Sequence, residues 1–373
     1  MQDGNLNFRK KLFELYELLQ DDLSRDIFWL RLQHDASPTI DTAFNLIGLM
    51  EDGEAHTMHC WTKIFDVIAA ENKKLLLYGT GSQGKEVARN ILDAGRDFFG
   101  FCTRNSERYP SGIMGKPVLP PQKLLEQADD YYVIISTSKY YEEVYQYLCE
   151  NDFPPSHILL HGKTAKGILN IIERQYFDFP EFFKPGSAFV DGGCFDSKDS
   201  IKFSEWSRGR YSKIFAFEPD HVNIEKCKEN AEKHQLTNFE LIEAGLGSKP
   251  TEMLFASSEN DRTGSRFMTD KMSDAALDFV RLTTIDRVVG NAEVGFIKLD
   301  IEGFELAALQ GASGAIIRDR PLLAICVYHK RGDLLAAMEY LHGLLPEYRF
   351  WVRHYSIGQN ETVLYAAVPD LRW

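Results

Sequence analysis

Three stretches of this chain place carboxylates where apolar runs end. GFIKLDIEGFELAALQGA (295–312) carries Lys298, Asp300, Glu302 and Glu305. FVDGGCFDSKDS (189–200) carries Asp191, with Gly192 and Gly193 directly after it. FAFEPD (215–220) carries Glu218, 27 residues beyond Asp191. Charge at the end of a buried strand is costly to desolvate, so it calls for a purpose. Residues two apart in an extended segment share a face, which puts Lys298, Asp300 and Glu302 together and lets the lysine offset the two acids. Such acids can hold a cationic ligand and orient a hydroxyl group. The glycines let a ligand approach the backbone with no Cβ in the way. An acid at the tip of the next strand can accept two ribose hydroxyls, the expected role of Glu218. A hydroxyl that reacts must also lose a proton. His329 in CVYHK is the first candidate base, and His354 in VRHYS the second. A divalent ion held by Asp300, Glu302 and a histidine is the competing arrangement, ranked below a site without metal. For any one of these acids a helix cap or a solvated turn is an adequate account. Three at successive strand ends favour function. Glu305 opens a helix, where an acid suits the dipole, and reads as structural. Asp286 in TTID reads as part of a helix-start box with Thr283.

The elements that must position these residues follow from pattern. FRKKLFELYELLQDDLSRDIFWLRL has helical spacing, and more helix is expected in DTAFNLIGLM and WTKIFDVIAAEN. From Lys74 strands alternate with helices: KLLLYGTGSQGKEVARNILDAG, DFFGFCT, YYVIIST, YYEEVYQYLCEN and HILLHG. From Pro185 a second alternating run begins, with strands AFVDGG, KIFAFEP, FELIEAG, GFIKLD and LLAICVYH. FWVRHYS and ETVLYAAV leave no room for a helix between them, so a hairpin is expected. The implied organisation is a helical segment (1–70), an α/β domain (71–163), a connector (164–185) and a second α/β domain (186–373), with parallel sheets covered on both faces.

GTGSQG (79–84) is a G-x-G-x-x-G in a strand–turn–helix context. A dinucleotide site also wants an acid at the end of the following strand, and FCTRN has none. Tight turning and close packing are therefore the favoured account of these glycines.

Composition narrows the classes. The net charge is -13, against the basic excess of nucleic-acid binders. The six cysteines form no CxxC pair, so reduced thiols and a cytoplasmic location are expected. No apolar run is long enough for a membrane span, and the first residues have no signal-peptide core. The oligomeric state is left open.

The second α/β run resembles a known family. LTTIDRV, VGFIKLDIEGFELAALQGA, PLLAICVYHKRGDLL, YRFWVRHYS and ETVLYAAV look like the FkbM-type methyltransferases over about Ser187 to Val368. The first run is similar to the Rossmann-like N-terminal domains of sugar-modifying enzymes, through YGTGSQG and GKPVLP. The resemblance implies two Rossmann-like domains in tandem, the second a class I methyltransferase sheet ending in an antiparallel hairpin. It implies S-adenosylmethionine as cofactor and O-methylation of a small-molecule, sugar or glycan acceptor. Carried over, Asp191, Gly192 and Gly193 match the methionine-side loop, Glu218 the ribose acid, and Asp300 the acid of the fourth strand. Ala244 in EAGLGS is expected near the adenine through its backbone. Asp300, Glu302 and His329 are the expected catalytic set. Ser197 departs from the pattern, standing where the family loop usually has a further glycine. The competing reading is a nicotinamide-dependent or nucleotide-sugar-binding protein working through the first domain.

Overall fold

The computed structural model describes residues 2–39, 41–42, 45–46, 61–137, 139–159, 173–256, 266–267, 277–356 and 360–373. These fall into two units. One comprises Asp26–Gln175 with Arg353–Thr362; the other comprises Met1–Arg25, Tyr176–Val352 and Val363–Trp373.

The first unit is built on five parallel strands: β1 (Lys74–Tyr78), β2 (Gly100–Cys102), β3 (Val118–Leu119), β4 (Tyr131–Ile135) and β5 (Ile158–Leu159). Their order is β3-β2-β1-β4-β5, that of a doubly wound sheet. The apolar runs of β1 and β4 are buried on both faces, as parallel strands between helix layers must be. The glycine turn packs too tightly for side chains. Gly79 has φ +135° and lies against the Ser136 carbonyl, and a Cβ on Gly84 would stand 2.2 Å from the Gly79 oxygen. Arg104, just past β2, pairs with Glu143 at 2.7 Å. The end of HILLHG and the first part of the expected connector, 164–172, lie outside the described residues.

The second unit carries a seven-stranded sheet: β6 (Ala188–Gly192), β7 (Ile214–Phe217), β8 (Phe239–Ile242), β13 (Val294–Leu299), β14 (Leu322–Cys326), β15 (Arg349–His354) and β16 (Thr362–Ala367). The order is β15-β16-β14-β13-β6-β7-β8. The chain runs outward from β6 through β7 to β8, then returns to lay β13 and β14 on the other side. The switch point therefore lies between β6 and β13, where open α/β sheets bind ligands. β16 runs antiparallel to β14 and lies beside β15, in keeping with the expected terminal hairpin. Near the N-terminus, Gln20 donates to the Phe350 carbonyl at 3.0 Å and Phe350 to the Leu18 carbonyl at 3.1 Å, so this segment covers the β15 edge.

A smaller sheet between β8 and β13 goes beyond the sequence pattern analysis. It consists of β9 (Gly245–Leu246), β10 (Thr251–Ala256), β11 (Arg266–Phe267) and β12 (Leu277–Thr283), in the order β11-β10-β12-β9. Most of SSENDRTGSRFM (257–268) lies outside the described residues; Arg266–Phe267 forms β11.

An aromatic core fixes the helix that follows β6. Phe203 on the helix Lys198–Trp206 stacks on Phe189 of β6 at 4.1 Å. Trp206 donates from Nε1 to the Phe177 carbonyl at 3.0 Å. The helix cannot shift without disturbing this packing, so the loop at its start is held as well.

Candidate active site

Gly192 ends β6, and Gly193 turns away from it with φ +77°. Asp300 donates from its backbone nitrogen to the Gly192 carbonyl at 3.0 Å, and Gly193 donates to Phe217 at 3.1 Å. A Cβ on Gly193 would stand 2.0 Å from the Asp300 carbonyl oxygen, and one on Gly192 2.7 Å from Leu299. Gly193 demands glycine, and both residues pack closely enough to hold the loop against the end of β13 at the switch point. Ser197 follows in the left-handed region with φ 62°, at the start of the helix Lys198–Trp206. That is the conformation a glycine adopts without strain. The Ser197 Oγ is buried with no hydrogen-bond partner among the described residues.

Glu218 stands directly beyond β7, 6% exposed. One carboxylate oxygen accepts from the Phe195 nitrogen at 3.0 Å and the other from the Asp220 nitrogen at 2.9 Å. Burial pushes its pKa up to about 7, against these two bonds. Ala244 is buried, and its N–H is taken by the Ile242 carbonyl at 2.8 Å. Only its carbonyl and side chain are then left to face an adenine.

Lys298 is the buried counter-charge of the site, but not for the acids next to it in sequence. Its Nζ lies 3.1 Å from Asp191 and 3.2 Å from Asp199, and donates to the Gly193 carbonyl at 2.9 Å. Burial alone would lower its pKa; Asp191, Asp199 and Asp300 outweigh this and hold it well above the usual lysine value. The expectation that Lys298, Asp300 and Glu302 share one strand face is corrected here. β13 ends at Leu299, and Glu302 has φ +55°, so the two-residue alternation stops before Asp300. Asp191 is fully buried, with its other oxygen accepting from Ser200 Oγ at 2.6 Å. It braces the glycine loop through Lys298.

Asp300 begins the turn after β13. Tyr176 and Tyr328 donate to its two oxygens, at 2.8 and 3.2 Å. Burial would raise its pKa, but Lys298, His329 and the Tyr176 hydroxyl hold it below the usual carboxylate range. His329, two residues past β14 at Val327–Tyr328, brings its Nε2 to 3.4 Å from Asp300 and 3.7 Å from Glu302. Its Nδ1 lies 2.9 Å from Glu305, although the N–H does not point along that line. Burial disfavours the charged imidazole, yet Glu305, Asp300 and Glu302 overcome this and raise its pKa to about 9. At neutral pH the ring therefore holds a proton rather than taking one, which runs against the base role read from sequence. His354 is buried and pairs through Nδ1 with Thr362 Oγ1 at 3.0 Å.

Two readings of supporting residues also change. Glu305 is more than a dipole partner. Its Oε1 accepts from the Ile301 and Gly303 nitrogens at 2.9 and 3.3 Å and so braces the turn that carries Asp300 and Glu302. Thr284, not Thr283, caps the helix Ile285–Val289, accepting from Arg287 at 3.2 Å. Asp286 instead accepts from the Gly314 and Ala315 nitrogens, both at 2.8 Å, at the start of the helix Ser313–Asp319. Tyr176 was missed. It lies 124 residues from Asp300 in the chain, and no local pattern links them.

Comparison with known proteins follows this geometry. Residues 192–351 match the methyltransferase FkbM domain model. No curated protein matches the chain. A methyltransferase FkbM from Methylobacillus flagellatus KT aligns with a TM-score of 0.53 and 16% identity, covering 92% of this chain and 99% of that one. It shares the fold. An rRNA methylase from Streptococcus thermophilus aligns at a TM-score of 0.34 and 17% identity, over 51% of this chain and 91% of that one. A putative methyltransferase from Streptococcus mutans, in complex with SAH, aligns at 0.35 and 12%, over 53% and 96%. Those two likenesses are too slight to carry an argument.

Proposed function

We propose that the chain, whose residues 192–351 match the methyltransferase FkbM domain model, is an S-adenosylmethionine-dependent O-methyltransferase. The acceptor we propose is a hydroxyl of a sugar, a glycan or a related small metabolite. One observation carries the cofactor assignment. The Gly192–Gly193 turn lies at the switch point, packed against the end of β13, with Glu218 past the strand on one side and Asp300 past the strand on the other.

Bound S-adenosylmethionine supplies a methyl carbon on a positively charged sulfur. The chain's own residues supply its seat. The Gly192–Gly193 turn would carry the ligand's amino-acid end beside the loop. Glu218 offers a carboxylate to the ribose hydroxyls, exchanging its bonds to the Phe195 and Asp220 nitrogens or sharing with them. Asp300, kept ionised by Lys298 and fixed by two tyrosine hydroxyls, places negative charge at the switch point. Glu302 and His329 stand next to it, where an acceptor hydroxyl would be oriented. Much of the rate would come from that positioning.

The first test is calorimetry of the full chain with S-adenosylmethionine. Binding is expected, and Glu218→Ala should weaken it by about 1–3 kcal/mol. Undiminished affinity in that variant would remove the cofactor assignment. The acceptor is then sought by following labelled methyl from the cofactor into sugar- and glycan-containing fractions. Label that enters only nitrogen or carbon would overturn O-methylation.

A further inference from the structure

We propose that Asp300, Glu305 and His329 bind a divalent transition-metal ion, with Glu302 at its edge. One ligand atom from each of the three lies within 4.8 Å of the others. His329 Nδ1 stands 2.9 Å from Glu305, within direct reach, whereas the spacings on the Nε2 side are those of ligands around an ion more than of direct partners. Charge-assisted hydrogen bonds run to about 2.7–2.9 Å. His329 Nε2 stands 3.4 Å from Asp300 and 3.7 Å from Glu302. Donors about 2.0–2.2 Å from one metal are separated from each other by about 3.0–3.5 Å. A second observation is independent of these distances. Glu305 is 3% exposed, and its Oε2 is buried without a hydrogen-bond partner. A buried carboxylate oxygen with no donor is costly, and a cation is the partner that would satisfy it.

The charge count agrees. Three carboxylates surround one imidazole. Lys298 is committed to Asp191 and Asp199, and Lys330 donates from its Nζ to the Gly303 carbonyl. Mixed imidazole and carboxylate ligands suit manganese, iron or zinc, whereas calcium and magnesium prefer oxygen alone. Three protein ligands leave positions open, where the oxygen of an acceptor hydroxyl could bind and become more acidic. That role rests on the methyltransferase reading; the binding of the ion does not.

The test uses the full chain, stripped with EDTA and titrated with Mn2+ alone, following loss of the free-ion signal by electron paramagnetic resonance. One Mn2+ per chain is expected, with affinity falling about ten-fold or more in His329→Ala and in Glu302→Gln. Circular dichroism checks that each variant is folded, and the exposed Glu302 serves if His329→Ala is not. S-adenosylhomocysteine binding is measured separately on the metal-free protein. If that binding occurs but Mn2+ does not bind, or binds folded variants as it binds the parent, the metal site is wrong and the methyltransferase reading stands. If Mn2+ binds as expected and S-adenosylhomocysteine does not, the metal site stands and the cofactor assignment fails.

Discussion

Glu218 is a carboxyl whose surroundings set a pH window. Its folded-state pKa of about 7 lies above the ordinary 4.5 because of burial. Between these values the folded chain keeps a proton that the unfolded chain releases. Stability from this group is therefore full below about 4.5 and is lost as pH rises through about 7. Glu218→Gln should flatten that fall by at most about 3 kcal/mol, read by denaturant titration at pH 5 and pH 8. Equal pH slopes for parent and variant would show that burial does not act on Glu218 in this way. Lys298 behaves differently, because it is the cation for two acids. Lys298→Met leaves the buried Asp191 without a counter-charge and should cost about 3–5 kcal/mol in the same assay. A loss below 1 kcal/mol would mean that Asp191 finds another partner. The residue types at these positions were legible in the sequence, since charge at a strand end stands out. Their partners were not. Lys298 reaches Asp191 and Asp199, and Asp300 reaches Tyr176, across distances in the chain that no local periodicity encodes.

The elements were readable where the hydrophobic period was clean. β7 and β14 are continuous apolar runs, β6 and β13 are apolar up to a single charge near the end, and the pattern found all four. The small sheet of β9 to β12 was not found, because β9 and β11 are two residues each and Glu252, Asp278 and Arg281 interrupt the apolar pattern of β10 and β12. The turn after β13 failed for another reason. Extended geometry was carried to Glu302, three residues past the end of β13 at Leu299, and the left-handed Glu302 breaks it. At the glycine loop two substitutions should move in opposite directions. Ser197→Gly relieves a left-handed backbone and removes a buried hydroxyl without a partner, so the melting temperature should rise, by about 1 kcal/mol of stability or less. Gly193→Ala drives a methyl into the Asp300 carbonyl and should abolish S-adenosylhomocysteine binding. Calorimetry on both variants decides, and an alanine variant that binds normally would mean that the loop is not the cofactor's seat.

On the scale of the whole molecule, the chain holds two glycine turns on two parallel sheets, and only one has acids at the neighbouring strand ends. Hydrogen exchange read by mass spectrometry should separate them. S-adenosylhomocysteine is expected to slow exchange in 191–197, 217–223 and 300–305, with no change in 74–84. Protection centred on 79–84 would move the ligand to the first sheet and revive the nicotinamide or nucleotide-sugar reading. The Asp191–Lys298 pair also bears on how the protein is made. The two residues are 107 positions apart, and β6, which carries Asp191, is flanked by β7 and β13. A ribosome that has just released Asp191 has made a charge whose counter-ion has yet to be translated. All five strands of the first sheet have left the tunnel by then, whereas the central strand of the second must wait for β13. The nascent chain thus passes through a long interval in which half of it can fold and the other half cannot, and the site is completed only near the end of synthesis.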